Sequence, residues 1–276
     1  MMLEIPEAAV VSGQLNDTVV GKTVQKVEVG KSPHSFAWYS GEPEFYEKLL
    51  TGKNITGAVN HAGMVEIHLQ DERLLFSDGV NLRFHANPDE QPVKHQLLLA
   101  FTDNSSISAS VAMYGGLSCY HVGTFDNPYY QAAIEKPDPL SGEFSEMYFL
   151  SLFTPELEKK SLKAFLATEQ RIPGFGNGVL QDILYLAGFH PKRKVNTLTV
   201  EEKQFLYGVI KKTLQSMIDQ GGRDTERDLY GQSGKYMTLM SKNTVGMPCK
   251  KCNNTIQKQS YMGGSIYFCS TCQPLV

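Results

Sequence analysis

The sequence predicts an α+β protein in two parts, an antiparallel β-sandwich with flanking helices followed by a helical domain that ends in a four-cysteine hairpin. Three observations carry this. Between residues 23 and 114 apolar residues recur with a period of two, in short segments with polar turns and no long helical pattern, which suits an antiparallel sandwich better than a doubly wound sheet. From Thr154 onward the period becomes helical. Near the C-terminus, four cysteines fall into two Cys-x-x-Cys pairs.

Taken in order, Pro6 fits a first helical turn, and Ala8, Val11 and Leu15 follow at helical spacing as far as Gly21. A second short helix is expected from near Pro43 to Gly52. Strands are expected around 23–29, 64–69, 73–77, 96–102 and 106–114, with Asp-Asn-Ser-Ser at 103–106 as a hairpin turn. Residues 124–145, with Pro128, Pro137, Pro139 and Gly142 among polar residues, read as a linker. Thr154-Pro155-Glu156 opens a helix whose apolar side is Leu157, Leu162, Phe165 and Leu166. The glycine-rich turn from Ile172 to Gly178 leads into a helix through Leu180, Ile183 and Leu184, stopped by Gly188. Thr199 and Glu202 have the capping-box spacing of a longer helix that ends at Gly221-Gly222. The expected division is a sandwich domain at 1–130, a linker at 131–145, a helical domain at 146–244 and the cysteine hairpin at 245–276.

Composition narrows the function. With 41% apolar and 20% charged residues, the chain has enough core-forming material to exclude a disordered, collagenous or disulfide-stapled protein. No apolar run approaches the roughly 18 residues of a membrane span, and the acid-bearing start lacks a signal-peptide pattern, so a cytoplasmic address without a membrane partner is expected. The net charge of −3 is unevenly spread: residues 141–276 carry 17 Lys+Arg against 12 Asp+Glu, leaving 9 against 17 in residues 1–140. Residues 231–276 hold Lys235, Lys242, Lys250, Lys251 and Lys258 and no acid. A basic half attached to an acidic one suits polyanion binding; a solvated basic face is the plainer account.

The cysteines give the sharpest chemistry. Cys249-x2-Cys252 and Cys269-x2-Cys272 offer four thiolates, the tetrahedral set of a structural zinc. Disulfides or a redox pair fit a cytoplasmic chain with two matched pairs poorly. A closed four-cysteine site leaves no position for water, so this zinc builds structure and does no chemistry, and no small-molecule cofactor is expected. Cys119 reads as a half-buried thiol in the sandwich. The turn Gly174-x-Gly176-Asn177-Gly178 lets backbone approach closely and points helix N-terminal amides outward, which suits phosphate; a tight helix connection is the alternative. Lys192, Arg193 and Lys194 add a basic cluster.

In this order the residues carry a resemblance. The N-terminal acidic helix, the β-sandwich, the segment RIPGFGNGVLQDILYLAGFHPKRK and a finger ending CSTCQ together resemble the formamidopyrimidine-DNA glycosylase/endonuclease VIII family of base-excision repair enzymes, over essentially the whole chain. The resemblance implies a helix–two-turn–helix domain, a zinc-finger hairpin and a DNA-binding cleft between the two domains of a monomer. It implies that Gly176, Asn177 and their turn grip phosphates flanking a lesion, and that the segment after Gly221-Gly222 covers an extruded base. The partner is then double-stranded DNA with a lesion or abasic site.

Departures from the family fall at its reactive positions. The family begins Met-Pro-Glu-Leu-Pro-Glu and uses the proline amine, freed by loss of Met, to attack the sugar C1′. Here Met2-Leu3-Glu4-Ile5-Pro6-Glu7 keeps both acids, Glu4 and Glu7, but puts Leu3 at the nucleophile position. A free amine one or two residues upstream would be displaced by up to about 3.5–7 Å, whereas attack needs atoms within about 3–3.5 Å. The family's Gly-Lys pair matches Gly63-Met64, with Gly52-Lys53 as a competing register. Its finger arginine matches Gly264, and its void-filling methionine and arginine match Val80 and Ala112, while the aromatic of that set survives as Tyr114.

Glu4 reads either as an acid or base toward the sugar or a water, or as a helix-start acid worth less than about 1 kcal/mol when exposed. Glu7 reads as the latter. Lys94-His95 fits a phosphate contact or the start of a strand, and Tyr114 fits the cleft or the sandwich core. Three functions remain open: a DNA glycosylase, with abasic-site lyase activity through a displaced amine or a lysine, or with hydrolysis through Glu4; a catalytically silent binder of damaged, abasic or distorted DNA; and a zinc ribbon that contacts RNA or protein.

Overall fold

The computed structural model describes residues 2–275. The first helix, α1 (Ile5–Val19), carries Pro6 in its first turn and buries Ala8, Val11, Leu15 and Val19. It packs on β3 (Gly57–His61) and β4 (Met64–Leu69). The main sheet has seven strands. Its antiparallel path runs β1 (Val24–Val29), β6 (Leu97–Phe101), β7 (Ser106–His121), β5 (Glu72–His85), β4, β3, and β2 (Ala37–Ser40) adds in parallel to β7. Both halves of this sheet, from Val24 and Leu99 to Val65 and Ile67, share one core with α1. The sandwich is therefore one continuous sheet whose long strands serve both halves.

β5 and β7 extend well beyond the expected 73–77 and 106–114. A bulge between Asp78 and Val80, with Asp78 at φ 57°, interrupts the alternation in β5 without ending it. In β7 the ladder runs on past residue 114 through Gly115 and Gly116, which pair with Asp78 and Ser77. β2 and β3 were not expected. β3 is joined to β4 by a turn in which Ala62 has φ 53°, and α2 (Phe45–Leu50) lies where the second helix was expected.

The proposed linker contains a helix, α3 (Pro128–Glu135). Asn127 caps it by accepting from the amides of Tyr129 and Tyr130, and Pro128 occupies the first turn, so the proline that looked like a breaker is a helix start. Tyr130 then donates to Glu66 at 2.8 Å, tying α3 to the sheet. The helix expected from Thr154 is also displaced. Pro155–Leu157 forms a single 3-10 turn. The helices of this region are α4 (Glu146–Ser151) and α5 (Leu162–Ala167), capped by Ser145 and Ser161.

α6 (Asn177–Ala187) ends at Gly188 in the left-handed conformation, and α7 (Val200–Asp219) starts with the Thr199–Glu202 capping box. These helices share a second core of Phe149, Phe165, Leu180, Ile183, Leu206 and Ile210, into which Ile5 of α1 also inserts. The C-terminal hairpin, β8 (Gln257–Tyr261) and β9 (Gly264–Phe268), packs against α6. No helix among the described residues is long and apolar enough to cross a membrane.

Candidate active site and nucleic-acid cleft

A cleft of about 640 Å³ runs between the sandwich, the helical domain and the tip of the hairpin. The chain start and the sandwich contribute Leu3, Glu4, Asp78 and Tyr114; the helical side contributes Lys163 and Asn177; the segment after α7 contributes Arg223, Glu226 and Lys242.

Glu4 sits at the N-terminus of α6, where its Oε1 accepts from Gly178 N and its Oε2 from Val179 N, both at 2.8 Å. Four unpaired amides and the positive end of the helix dipole make this a natural seat for an anion. Arg223 Nη1 adds a contact at 3.2 Å to Oε2. Burial pushes the Glu4 carboxyl above its ordinary range, against the pull of Arg223 and the two amides. The seat requires glycine: a Cβ on Gly176 would fall on the Glu4 carboxylate, and one on Gly178 would fall on Arg223. The amides expected to face phosphate are therefore partly taken by a carboxylate of the chain itself.

Glu7 is not an exposed helix-start acid. It is 3% exposed and forms a two-point pair with Arg223, Nε to Oε1 at 2.8 Å and Nη2 to Oε2 at 2.6 Å. Burial works against the Arg223 charge, but Glu4 and Glu7 hold its pKa above the ordinary arginine value. Arg223 thus clamps the segment after α7 to the first turn of α1. Sequence reasoning missed it; the available signal was an arginine directly after Gly221-Gly222 with two acids at the chain start.

Asn177 opens α6 and donates through Nδ2 to Ser265 O at 2.9 Å, while Gln181 bonds to both Asn177 and Ser265. The turn therefore docks the hairpin as well as facing the cleft. Lys163 donates to Tyr261 O at 2.7 Å, and burial lowers its pKa. A Cβ on Gly264 would lie 3.4 Å from Lys163 Nζ and 3.8 Å from Asn177 Nδ2. Asn177, Gly264 and Lys163 thus form one polar wall.

On the opposite wall, Leu3 is buried, and its backbone amide donates to Asp78 O at 2.7 Å. Tyr114 lines the cleft rather than the sandwich core, with its ring 5.9 Å from that of Trp38. Other expected residues are not brought here. Val80 is fully buried in the sandwich. Ala112, Met64, Lys94 and His95 do not line the cleft; His95 is buried, with Nδ1 against Pro92 O at 2.9 Å. The strand start at Met64 places Gly63 directly before β4, and Gly63 closes on Gly174 of the glycine-rich turn.

The four cysteines converge, all four Sγ atoms lying within 4.8 Å of one another. Cys249–Cys272 at 3.7 Å and Cys252–Cys269 at 3.4 Å are far from a disulfide length. They approach the edge of about 3.8 Å expected for a tetrahedron with zinc–sulfur bonds near 2.3 Å. The donor set fits one structural zinc. Cys119 is buried in the sandwich, where burial pushes its thiol up to about 12.

The helical domain matches the family model of the formamidopyrimidine-DNA glycosylase H2TH domain over residues 136–228, and residues 2–111 match that family's N-terminal domain. The chain belongs to the formamidopyrimidine-DNA glycosylase family. Relatives bearing that name include one from Bacillus licheniformis, 28% identical and covering 99% of both chains, and one from Legionella pneumophila, 28% identical and covering 100% of both. Among solved structures, Lactococcus lactis Fpg in complex with abasic-site DNA superposes with a TM-score of 0.83 at 26% identity, covering 98% of this chain and 99% of that one. The same glycosylase with DNA containing an oxidized pyrimidine gives 0.83 at 27% identity over the same shares. The four-cysteine cluster agrees with the zinc finger that the family resemblance implies.

Proposed function

We propose that this chain is a DNA glycosylase of base-excision repair that removes a damaged base with water rather than through an N-terminal amine. The observation that carries the route is the state of Leu3. At the position where the family resemblance puts a proline amine stands an interior peptide nitrogen, already bonded to Asp78 O at 2.7 Å. It has no free electron pair to attack a sugar. The surrounding cleft is nonetheless built, with the polar wall of Asn177, Gly264 and Lys163 holding the hairpin tip at its edge and the Glu4–Arg223–Glu7 clamp fixing the chain start. Zinc would be held by Cys249, Cys252, Cys269 and Cys272 and would fix the hairpin tip that carries Gly264. Work on DNA places the protein in the cytoplasm or nucleoid, and a monomer suffices for such a cleft.

Hydrolysis and lyase chemistry leave different products. Purified protein is incubated with duplexes carrying single oxidized, ring-opened or abasic residues, with and without borohydride, and the strands are read before and after alkali. The expected result is base release that yields a strand break only after alkali, with no trapped adduct. A trapped adduct would overturn the hydrolytic route, and peptide mapping would name the amine. Tight binding to abasic DNA with no base released from any duplex would instead make the chain a silent binder.

A further inference from the structure

Three carboxylates line the cleft: Glu4, Glu226 and Asp78. Only a carboxylate with a free acceptor direction can take a proton from water. Glu4 has both oxygens engaged, Oε1 by one amide and Oε2 by a second amide and Arg223. Glu226 accepts from Met2 N at 2.9 Å, and its environment includes Arg223 and Glu7. Asp78 has one side-chain hydrogen bond among the described residues, from Ser77 Oγ at 3.1 Å.

The backbone aims it. Asp78 stands at the β5 bulge with φ 57°, a conformation that aspartate tolerates better than most residues but that still costs free energy. It pairs across the ladder with Gly115, beside Tyr114, and its carbonyl holds the Leu3 amide, so Asp78 and the chain start are fixed together. Without the bulge the position would keep to the strand alternation. Asp78 is exposed to the cleft, and partial desolvation by the surrounding walls raises its carboxyl. Asp78 and then Glu4 add to burial in raising the Tyr114 phenol, which puts both acids within electrostatic reach of the same cleft hydroxyl.

We propose that Asp78 is the general base of this glycosylase, activating the water that displaces the damaged base. The assignment rests on the hydrolytic reading above. In the step, the Asp78 carboxylate takes a proton from water as the water oxygen bonds to C1′. The N-glycosidic bond breaks, its electron pair leaves with the base, and the base acquires a proton from solvent. Free base and an abasic deoxyribose are the products, and no oxidant or reductant is required. Glu4 and Arg223 hold the geometry and touch no reacting atom.

The test compares wild type, Asp78→Asn and Asp78→Gly in single-turnover excision at saturating protein, on whichever lesion duplex the wild type processes, alongside binding to abasic DNA and thermal melting. Asparagine keeps the shape and tolerates the left-handed backbone; glycine removes the carboxylate and relieves the strain. Both variants are expected to bind abasic DNA within about threefold of wild type and to lose roughly 10²–10⁴-fold in excision rate, with the glycine variant melting no lower than wild type. A purely structural Asp78 would give the reverse, a shifted melting temperature with excision kept. Either variant excising within threefold of wild type overturns the assignment while the glycosylase reading stands. A wild type inert on every duplex sinks that reading, and the assignment with it.

Discussion

At Gly174 two constraints coincide. Its φ is +68°, and a Cβ there would fall on the backbone nitrogen of Gly63. Neither obstacle can rotate away, because both are main chain. Gly174→Ala is therefore expected to lower stability by about 2–4 kcal/mol, read as a drop in denaturation midpoint, with the Glu4 seat displaced. An alanine variant within 0.5 kcal/mol of wild type, about the spread of neutral surface substitutions, would show that the approach is not tight. Asp182 is the other single residue with a clear signature. It is fully buried, accepts from the amides of Leu239 and Met240, and is raised to about 6 by burial despite those amides. An acid raised on folding contributes stability that is fully present below its unfolded value near 3.9 and fades as pH rises through the folded value. Comparison with Asp182→Asn across pH 4–7 should show the wild-type advantage falling by about 2–3 kcal/mol; a difference that is flat with pH would refute the shift. Glu7 marks the limit of sequence reading at this scale. An acid in a first helical turn suggests a dipole contact, and only the distant Arg223 makes it a buried ion pair.

Among the elements, those with local signals were legible and those made by tertiary contact were not. The Thr199 capping box, the Gly188 stop and β4 were readable because each depends on its own residues. β2 has four residues and exists because it lies along β7; α3 hides among prolines because Pro128 starts it. β2 has a use as a probe. It carries Trp38, the one tryptophan of the sequence, half exposed and with its ring 5.9 Å from that of the cleft residue Tyr114. DNA seated against Tyr114 should quench or shift the Trp38 emission, and unchanged emission at saturating abasic duplex would place the DNA elsewhere. The hairpin was legible as a metal site but not as part of the cleft wall, since Asn177 meets Ser265 across 88 positions. β8 is almost entirely exposed, and the buried cluster around the cysteines is small, so chelation should unfold the hairpin and leave the sandwich folded. Zinc removal is expected to abolish DNA binding while most of the cooperative thermal transition remains; binding that survives metal-free would contradict the docking of the hairpin on Asn177.

Across the whole molecule the charge is divided as a cleft enzyme on DNA requires, with the excess of positive charge in residues 141–276 and the excess of negative charge in residues 1–140. That division was visible in the sequence; which cations are free was not. Arg223 belongs to Glu4 and Glu7 and is almost wholly buried, so it offers nothing to a phosphate. Arg193 is likewise held by Glu202. Lys163 is 5% exposed and donates to Tyr261 O, so among the described residues the cation left for DNA at the cleft is Lys242, with Lys192 close by over the Tyr261 ring. Asn177 and backbone amides can position phosphates but release no condensed counterion. Each neutralised phosphate contributes about −0.9 to the slope of log K against log salt on duplex DNA. One or two such contacts give an expected slope of about −1 to −2, shallow for a protein gripping duplex DNA. Titrating an abasic duplex between low and moderate salt measures it, and Lys242→Ala should reduce the slope by about one without altering preference among lesions. A slope steeper than about −6 would mean that the surface outside the cleft, the Lys250–Lys251 end of the hairpin included, takes a larger share of the backbone than the cleft does.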